Sequence, residues 1–199
     1  MALGNRIRLL VCGLLMVTTG VASGVETENL VGIYTDEAMS ANTAAAEPGD
    51  YLTFYVVLDN PRNPFRGGKW GEDVIRVGCY AFGLDLSTNL EFVTKDLPAT
   101  DKRPECTGNC TFFRQCFGAL LPVEDDRHIT LRSFVVRYLG PGPAEIRLRP
   151  DVLELLDGAM DYWYRDPEYT GWVLAMHPVT GSYDLPVMVI NGEGVPTVA

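Results

Sequence analysis

From Asn29 onward the chain sets short apolar runs between turn-rich pieces, and within the runs apolar and polar positions alternate with a period of two, as half-buried strands do. Leu30 to Tyr34 reads as a first strand. "YLTFYVVL" at 51–58 is stronger, with Leu52, Phe54, Val56 and Leu58 on one face. "VIRVGCYAFGLDL" at 74–86 is apolar on both sides, which marks a central strand. Further strands are expected at 90–97, 112–121, 128–139 and 144–150, and then at Trp172–Met176 and Leu185–Ile190. Only "DVLELLDGAM" at 151–160 rivals these with a helical period, and Gly158 interrupts it.

The connections carry Asp-Asn-Pro, Gly-Pro-Gly-Pro and Thr-Gly-Ser turns. Short strands joined this way predict an all-β fold, an antiparallel β-sandwich of about eight or nine strands with Greek-key-like connections. The small-residue stretch "MSANTAAAEPGD" at 39–50 reads as a loop closed by a Pro-Gly-Asp turn into the next strand. No internal repeat is visible.

The N-terminus changes the picture of where such a domain works. Arg6 and Arg8 precede an apolar run from Leu9 to about Val17, with small residues at Ala22 and Gly24. This is the plan of a signal peptide over residues 1–24, followed by one sandwich domain over 25–199 and an exported, extracellular, cell-surface or periplasmic location. Cys12 lies inside the apolar run after Val11, which is not the setting of a lipid anchor. No later segment offers the roughly 20 apolar residues of a membrane helix. Loss of residues 1–24 removes two arginines and no acid, so the formal charge moves from -10 to -12. That acidity argues against a nucleic-acid partner, which needs a cationic surface.

Export also decides how the cysteines are read. The mature chain keeps Cys79, Cys106, Cys110 and Cys116, an even set that predicts two disulfides in an oxidising compartment. Four cysteines allow three pairings. The preferred one joins Cys106 with Cys110 across "CTGNC", where Gly108 and Asn109 let the chain turn, and Cys79 with Cys116 across two strands. A four-cysteine zinc site is the alternative, weakened because Cys79 has no close companion.

"AAAEPGDYLTFYVVLDNP", then "GCYAFGLDL" and "RHITLRSFVVRYLG", resemble the plan of cohesin-like β-sandwich domains of bacterial secreted and cell-surface proteins. The likeness covers about a third of the chain. "VGIYTDEA" at 31–38 and "YDLPVMVINGEG" at 183–194 resemble the ends of other exported bacterial proteins. A cohesin-like domain implies attachment to another protein. The cysteines and the aromatic window described next depart from that pattern, which puts a dockerin partner in doubt.

Catalytic and metal signatures are sparse. His128 and His177 lie in no ligand spacing such as H-E-x-x-H, and no G-x-S-x-G elbow is present. "FRGGKWG" at 65–71 lacks the ending of a phosphate loop and reads as a connection between strands. Asp161, Asp166 and Glu168 are the carboxylates that a glycosidase would need, although their plainer role is to keep an apolar loop soluble. No cofactor is expected. Calcium is conceivable on Asp59, Asn60 and Asp73, or on the acidic run 124–126.

The densest feature is "DYWYRDPEYTGW" at 161–172. Strand alternation would set Tyr162 and Tyr164 opposite Trp163. Because tyrosine keeps its hydroxyl wet, the expectation is that Trp163 and Trp172 face inward while Tyr162, Tyr164 and Tyr169 stand partly exposed at an edge. Tyr162, Tyr164, Tyr169 and Trp172 are therefore the candidate ligand- or partner-binding residues. The functional expectation is a non-catalytic exported domain for protein–protein binding or extracellular assembly, by self-association or with another extracellular protein. A carbohydrate-binding or carbohydrate-active domain, with a polysaccharide ligand, is the alternative.

Overall fold

A computed structural model describes residues 28–65, 72–93, 109–124, 127–150, 159–165 and 171–195. The strands are β1 (Leu30–Tyr34), β2 (Thr43–Ala44), β3 (Tyr51–Asp59), β4 (Arg62–Asn63), β5 (Glu72–Asp73), β6 (Arg76–Leu86) and β7 (Leu90–Phe92). They continue with β8 (Asn109–Pro122), β9 (His128–Tyr138), β10 (Ala144–Arg149), β11 (Met160–Arg165), β12 (Gly171–Pro178) and β13 (Met188–Ile190). The fold is all-β. Residues 1–24, read above as a signal peptide, Cys106, Tyr169 and most of the 151–160 stretch lie outside the described residues.

Eleven of these strands form one large mixed sheet, and β4 and β5 form a two-stranded ribbon. This departs from the expected eight or nine antiparallel strands. Most pairings are antiparallel, but β1 meets β12 in parallel at Leu30↔His177 and Val31↔Pro178, and β2 meets β13 in parallel at Val189↔Thr43 and Ile190↔Ala44. Both parallel contacts join the first strands of the described chain to its last. The direction of such a long-range meeting is not encoded in any local apolar pattern.

β6 is the axis of one half of the sheet. One edge pairs with β8 from Arg76↔Pro122 to Leu86↔Asn109. The other edge is shared: residues 79–81 pair with β11 and residues 83–86 with β10. β12 then carries the sheet across, pairing with β11 through residues 171–176 and with β1 through 177 and 178, and from β1 the order runs to β3, β9 and β7.

Alternation along the strands builds the core. Phe54, Val56 and Leu58 of β3 are buried as predicted, and so are Tyr80, Phe82, Leu84 and Leu86 of β6. The buried side chains form one cluster that draws on both halves of the sheet. Rings bridge it: Phe92 of β7 contacts Phe113 of β8 at 5.8 Å between centroids and Phe134 of β9 at 5.5 Å. On the opposite face β6 carries smaller side chains and two glycines. A Cβ on Gly78 would lie 2.3 Å from the indole of Trp163, and one on Gly83 would lie 2.7 Å from the ring of Phe112. Glycine at these two positions lets aromatic rings lie flat on the central strand.

Two bulges change the phase of the alternation. Between β3 and β9 the register shifts at Val56/Val57, so that Val57 faces Thr130 while Val56 faces Arg132, and Leu131 is the extra residue. Before the shift Ile129 and Leu131 point into the core; after it Phe134, Val136 and Tyr138 do. A second shift falls between Val77 and Cys79 of β6.

Candidate functional site

The aromatic window forms β11 and the start of β12, held between β6 and β1. Tyr162 lies opposite Tyr80 on one side and Leu174 on the other, and Tyr164 lies opposite Trp172. Tyr162 is 0% exposed and Tyr164 is 2% exposed. Their expected partial exposure is therefore corrected: neither ring is on the surface. Alternation does separate them from Trp163, but here the tyrosines face the core and Trp163 the other side, while Trp172, opposite Tyr164, turns inward as expected. Trp163 is half-buried beside Cys79 over Gly78, and Trp172 is half-buried against the core.

The reversal has a chemical cause, since both hydroxyls find partners inside. Tyr162 Oη donates to Asn29 Oδ1 at 2.8 Å, and Asn63 Nδ2 donates to Tyr164 Oη at 2.7 Å. Asn63 is fully buried. Asn29 is fixed in turn: its Oδ1 also accepts from the Arg62 amide at 2.7 Å, its Nδ2 donates to the Arg62 carbonyl at 2.9 Å, and its own amide donates to the Asn60 carbonyl at 3.0 Å. Asn29 takes a φ of 57°, a left-handed conformation that asparagine tolerates. Burial pushes the Tyr162 hydroxyl far above its ordinary pKa.

Around this buried pair lies a charged rim. Arg127 Nη1 meets Asp73 Oδ2 at 2.7 Å, Arg62 Nε lies 3.5 Å from Asp73 Oδ1, and Arg62 Nη1 meets Glu28 Oε1 at 3.0 Å. The Arg127 hydrogen bond and the two positive charges hold the Asp73 carboxyl below the usual carboxylate range. Arg127 Nε also donates to Asn60 Oδ1 at 2.9 Å. Asp73 and Asn60, two of the oxygen donors suggested for calcium, are thus engaged by guanidinium groups. Among the described residues no group of three or more His, Cys, Asp or Glu side chains is placed to share a metal ion. Asp161 is buried at 5% exposure; Asp166 and Glu168 lie outside the described residues.

Cys79 and Cys116 are joined, as the sequence suggested, in directly opposed positions of β6 and β8. The pairing proposed for Cys106 with Cys110 falls outside the described residues. The disulfide ties down a strand of unusual standing: β8 runs for 14 residues along β6, yet among the described residues no strand pairs with its other edge. The other edge strands, β2 and β7, have two and three residues. Beyond β8 the chain crosses to β9, and an open cleft of about 730 Å³ lies there, where Glu37, Glu124 and His128 meet the apolar Leu121, Pro122 and Ile129.

One polar residue that the sequence reading passed over is Arg132. The bulge in β9 turns it toward the core, where Nη1 donates to Gln115 Oε1 at 3.1 Å and lies 3.4 Å from Tyr80 Oη, while its guanidinium carbon sits 4.8 Å above the Phe113 ring. The signal was present in "HITLRSFVVRYL", where the apolar phase slips between Leu131 and Phe134.

No protein-family model matches this chain, and no curated protein matches it. The established statement about its kinship is therefore the coarse one, an all-β fold built on a large mixed sheet, without assignment to the cohesin-like family.

Proposed function

We propose that this chain is an exported, non-catalytic β-sandwich-like domain that binds another protein by strand addition to the edge of β8. The observation that supports this most directly is the 14-residue strand paired on one side only among the described residues. A long open edge presents a row of N–H and C=O groups that a partner strand completes, and natural proteins seldom leave one that long without a use. The Cys79–Cys116 bond fixes β8 against β6, which lowers the ordering cost of receiving a partner.

Charge chooses the kind of partner. A formal charge of -12 on the exported chain opposes the approach of a second copy, so the occupant is a strand of a different, less acidic exported protein. The polysaccharide alternative asks for rings exposed in a row, and Tyr162 and Tyr164 are buried. Site-specific photo-crosslinking tests the proposal. A photoreactive residue at Arg114, exposed on β8, should yield a discrete protein adduct in the native host, whereas one at Thr53, exposed on β3, should not. Adducts from Thr53 alone, or from neither position, would refute it.

A further inference from the structure

We propose that Arg132 is the receptor for a carboxylate, so that the interior between β8 and β9 takes an organic monoanion. This inference is independent of the strand-addition reading. Among the described residues Arg132 forms no ion pair: its hydrogen bonds run to Gln115 Oε1 and Tyr80 Oη, both neutral, and Nε is buried with no hydrogen-bond partner. Tyr80 Oη itself donates to Gln115 Oε1 at 2.9 Å, so the two neutral groups also satisfy each other. The guanidinium is always charged, and withdrawing it partly from water without a counter-charge is costly. The packing is therefore incomplete in one respect, a negative charge.

The neighbours define the anion. Arg132 offers a single positive charge, in a strongly acidic protein, which favours a monoanion over phosphate or sulfate. The planar fork of Arg132 matches a carboxylate, and Nη1 is already committed, leaving Nε and Nη2 as the bidentate pair. Phe113 beneath the guanidinium and Tyr80 beside it supply ring surfaces, which suit an organic acid better than a hydrated inorganic ion. Arg132 and Gln115 are half-buried, so the group is partly open to solvent, and a ligand enters where it is. Binding requires a side-chain adjustment to uncover Nε.

The test compares melting temperature in sodium acetate and in sodium chloride at equal pH and ionic strength, for the wild-type chain and for Arg132→Met. Acetate should raise the wild-type value saturably by about 2 °C or more. Arg132→Met should remove that difference. N-acetyl-aspartate amide, used in parallel, separates a protein side chain from a free acid as the source: the probe that saturates at lower concentration identifies it. If Arg132→Met fails to fold, titration of the wild-type Arg132 Nε–H resonance with acetate replaces it, and a saturable shift is expected. An equal acetate effect in Arg132→Met, no effect in the wild type, or an unmoved Nε–H resonance would overturn the proposal.

Discussion

The Tyr162 hydroxyl donates to the side-chain oxygen of Asn29 at 2.8 Å, a contact that joins positions 133 residues apart at the point where β12 passes from β11 to β1. Asn29 also holds the Arg62 and Asn60 backbones, and its carbonyl accepts from the His177 amide at 3.0 Å, so its side chain and backbone tie three other segments together. Asn29→Ala should therefore cost more than Tyr162→Phe. The first leaves several buried groups unpaired, for about 3 kcal/mol; the second removes one hydroxyl, for about 1 kcal/mol. Urea unfolding of both variants measures the order, and equal losses would show that Asn29 has no such central role.

Within the aromatic window, burial predicts a strong asymmetry. Tyr164→Ala opens a cavity beside Asn63 and should destabilise by about 3–5 kcal/mol, while Trp172→Ala, at a half-buried site, should cost about 1–2 kcal/mol. Thermal denaturation distinguishes the two. A mild Tyr164→Ala would put that ring at the surface after all.

Much of this arrangement was legible in the sequence, and the failures share a cause. β3, β9 and β10 follow from period-two alternation and β1 and β6 from short, nearly continuous apolar runs, because these signals are set by neighbours in sequence. The faces of Tyr162, Trp163 and Tyr164 were reversed because the deciding groups, Asn29 and Asn63, come from distant parts of the chain and satisfy the tyrosine hydroxyls inside the core. Propensity alone gives a tyrosine a wet hydroxyl; tertiary partners overrule it. The parallel pairings escaped for the same reason. Arg132 is different, since the phase slip at Leu131 is local, and it marks the bulge that turns a charge inward.

The Cys79–Cys116 bond closes 37 residues of sequence separation and pins β8 to the central strand. On the chain-entropy account, replacing both cysteines by serine should lower stability by about 4 kcal/mol. Denaturant unfolding of that double variant is the check. A loss near zero would mean that the pairings along β6 hold β8 unaided.

Tyrosine ionisation gives the alkaline limit of the fold. Burial and the Asp59 charge push the Tyr34 hydroxyl from its ordinary 10.0 up to about 12, and burial also raises Tyr80, Tyr162 and Tyr183. A phenol whose folded pKa is raised contributes stability that is complete below its unfolded pKa and is lost as pH rises through the folded one. Stability should thus fall between pH 10 and about 12. Absorbance of ionised tyrosine, followed with circular dichroism, should show Tyr34, Tyr80, Tyr162 and Tyr183 ionising only as structure is lost. A single titration complete at pH 10 with the fold intact would contradict this burial.

The edge of β8 that is unpaired among the described residues is the centre of the functional reading, and residue-resolved amide hydrogen exchange on the free chain tests it most directly. In an antiparallel edge strand, successive residues turn their N–H groups alternately toward the neighbour and away from it. The account predicts that across Asn109–Pro122 every second amide exchanges at nearly unprotected rates, while the intervening amides, bonded to β6, are strongly protected. Uniform protection along β8 would mean that the edge is already covered within the chain, and strand addition would have no place to occur.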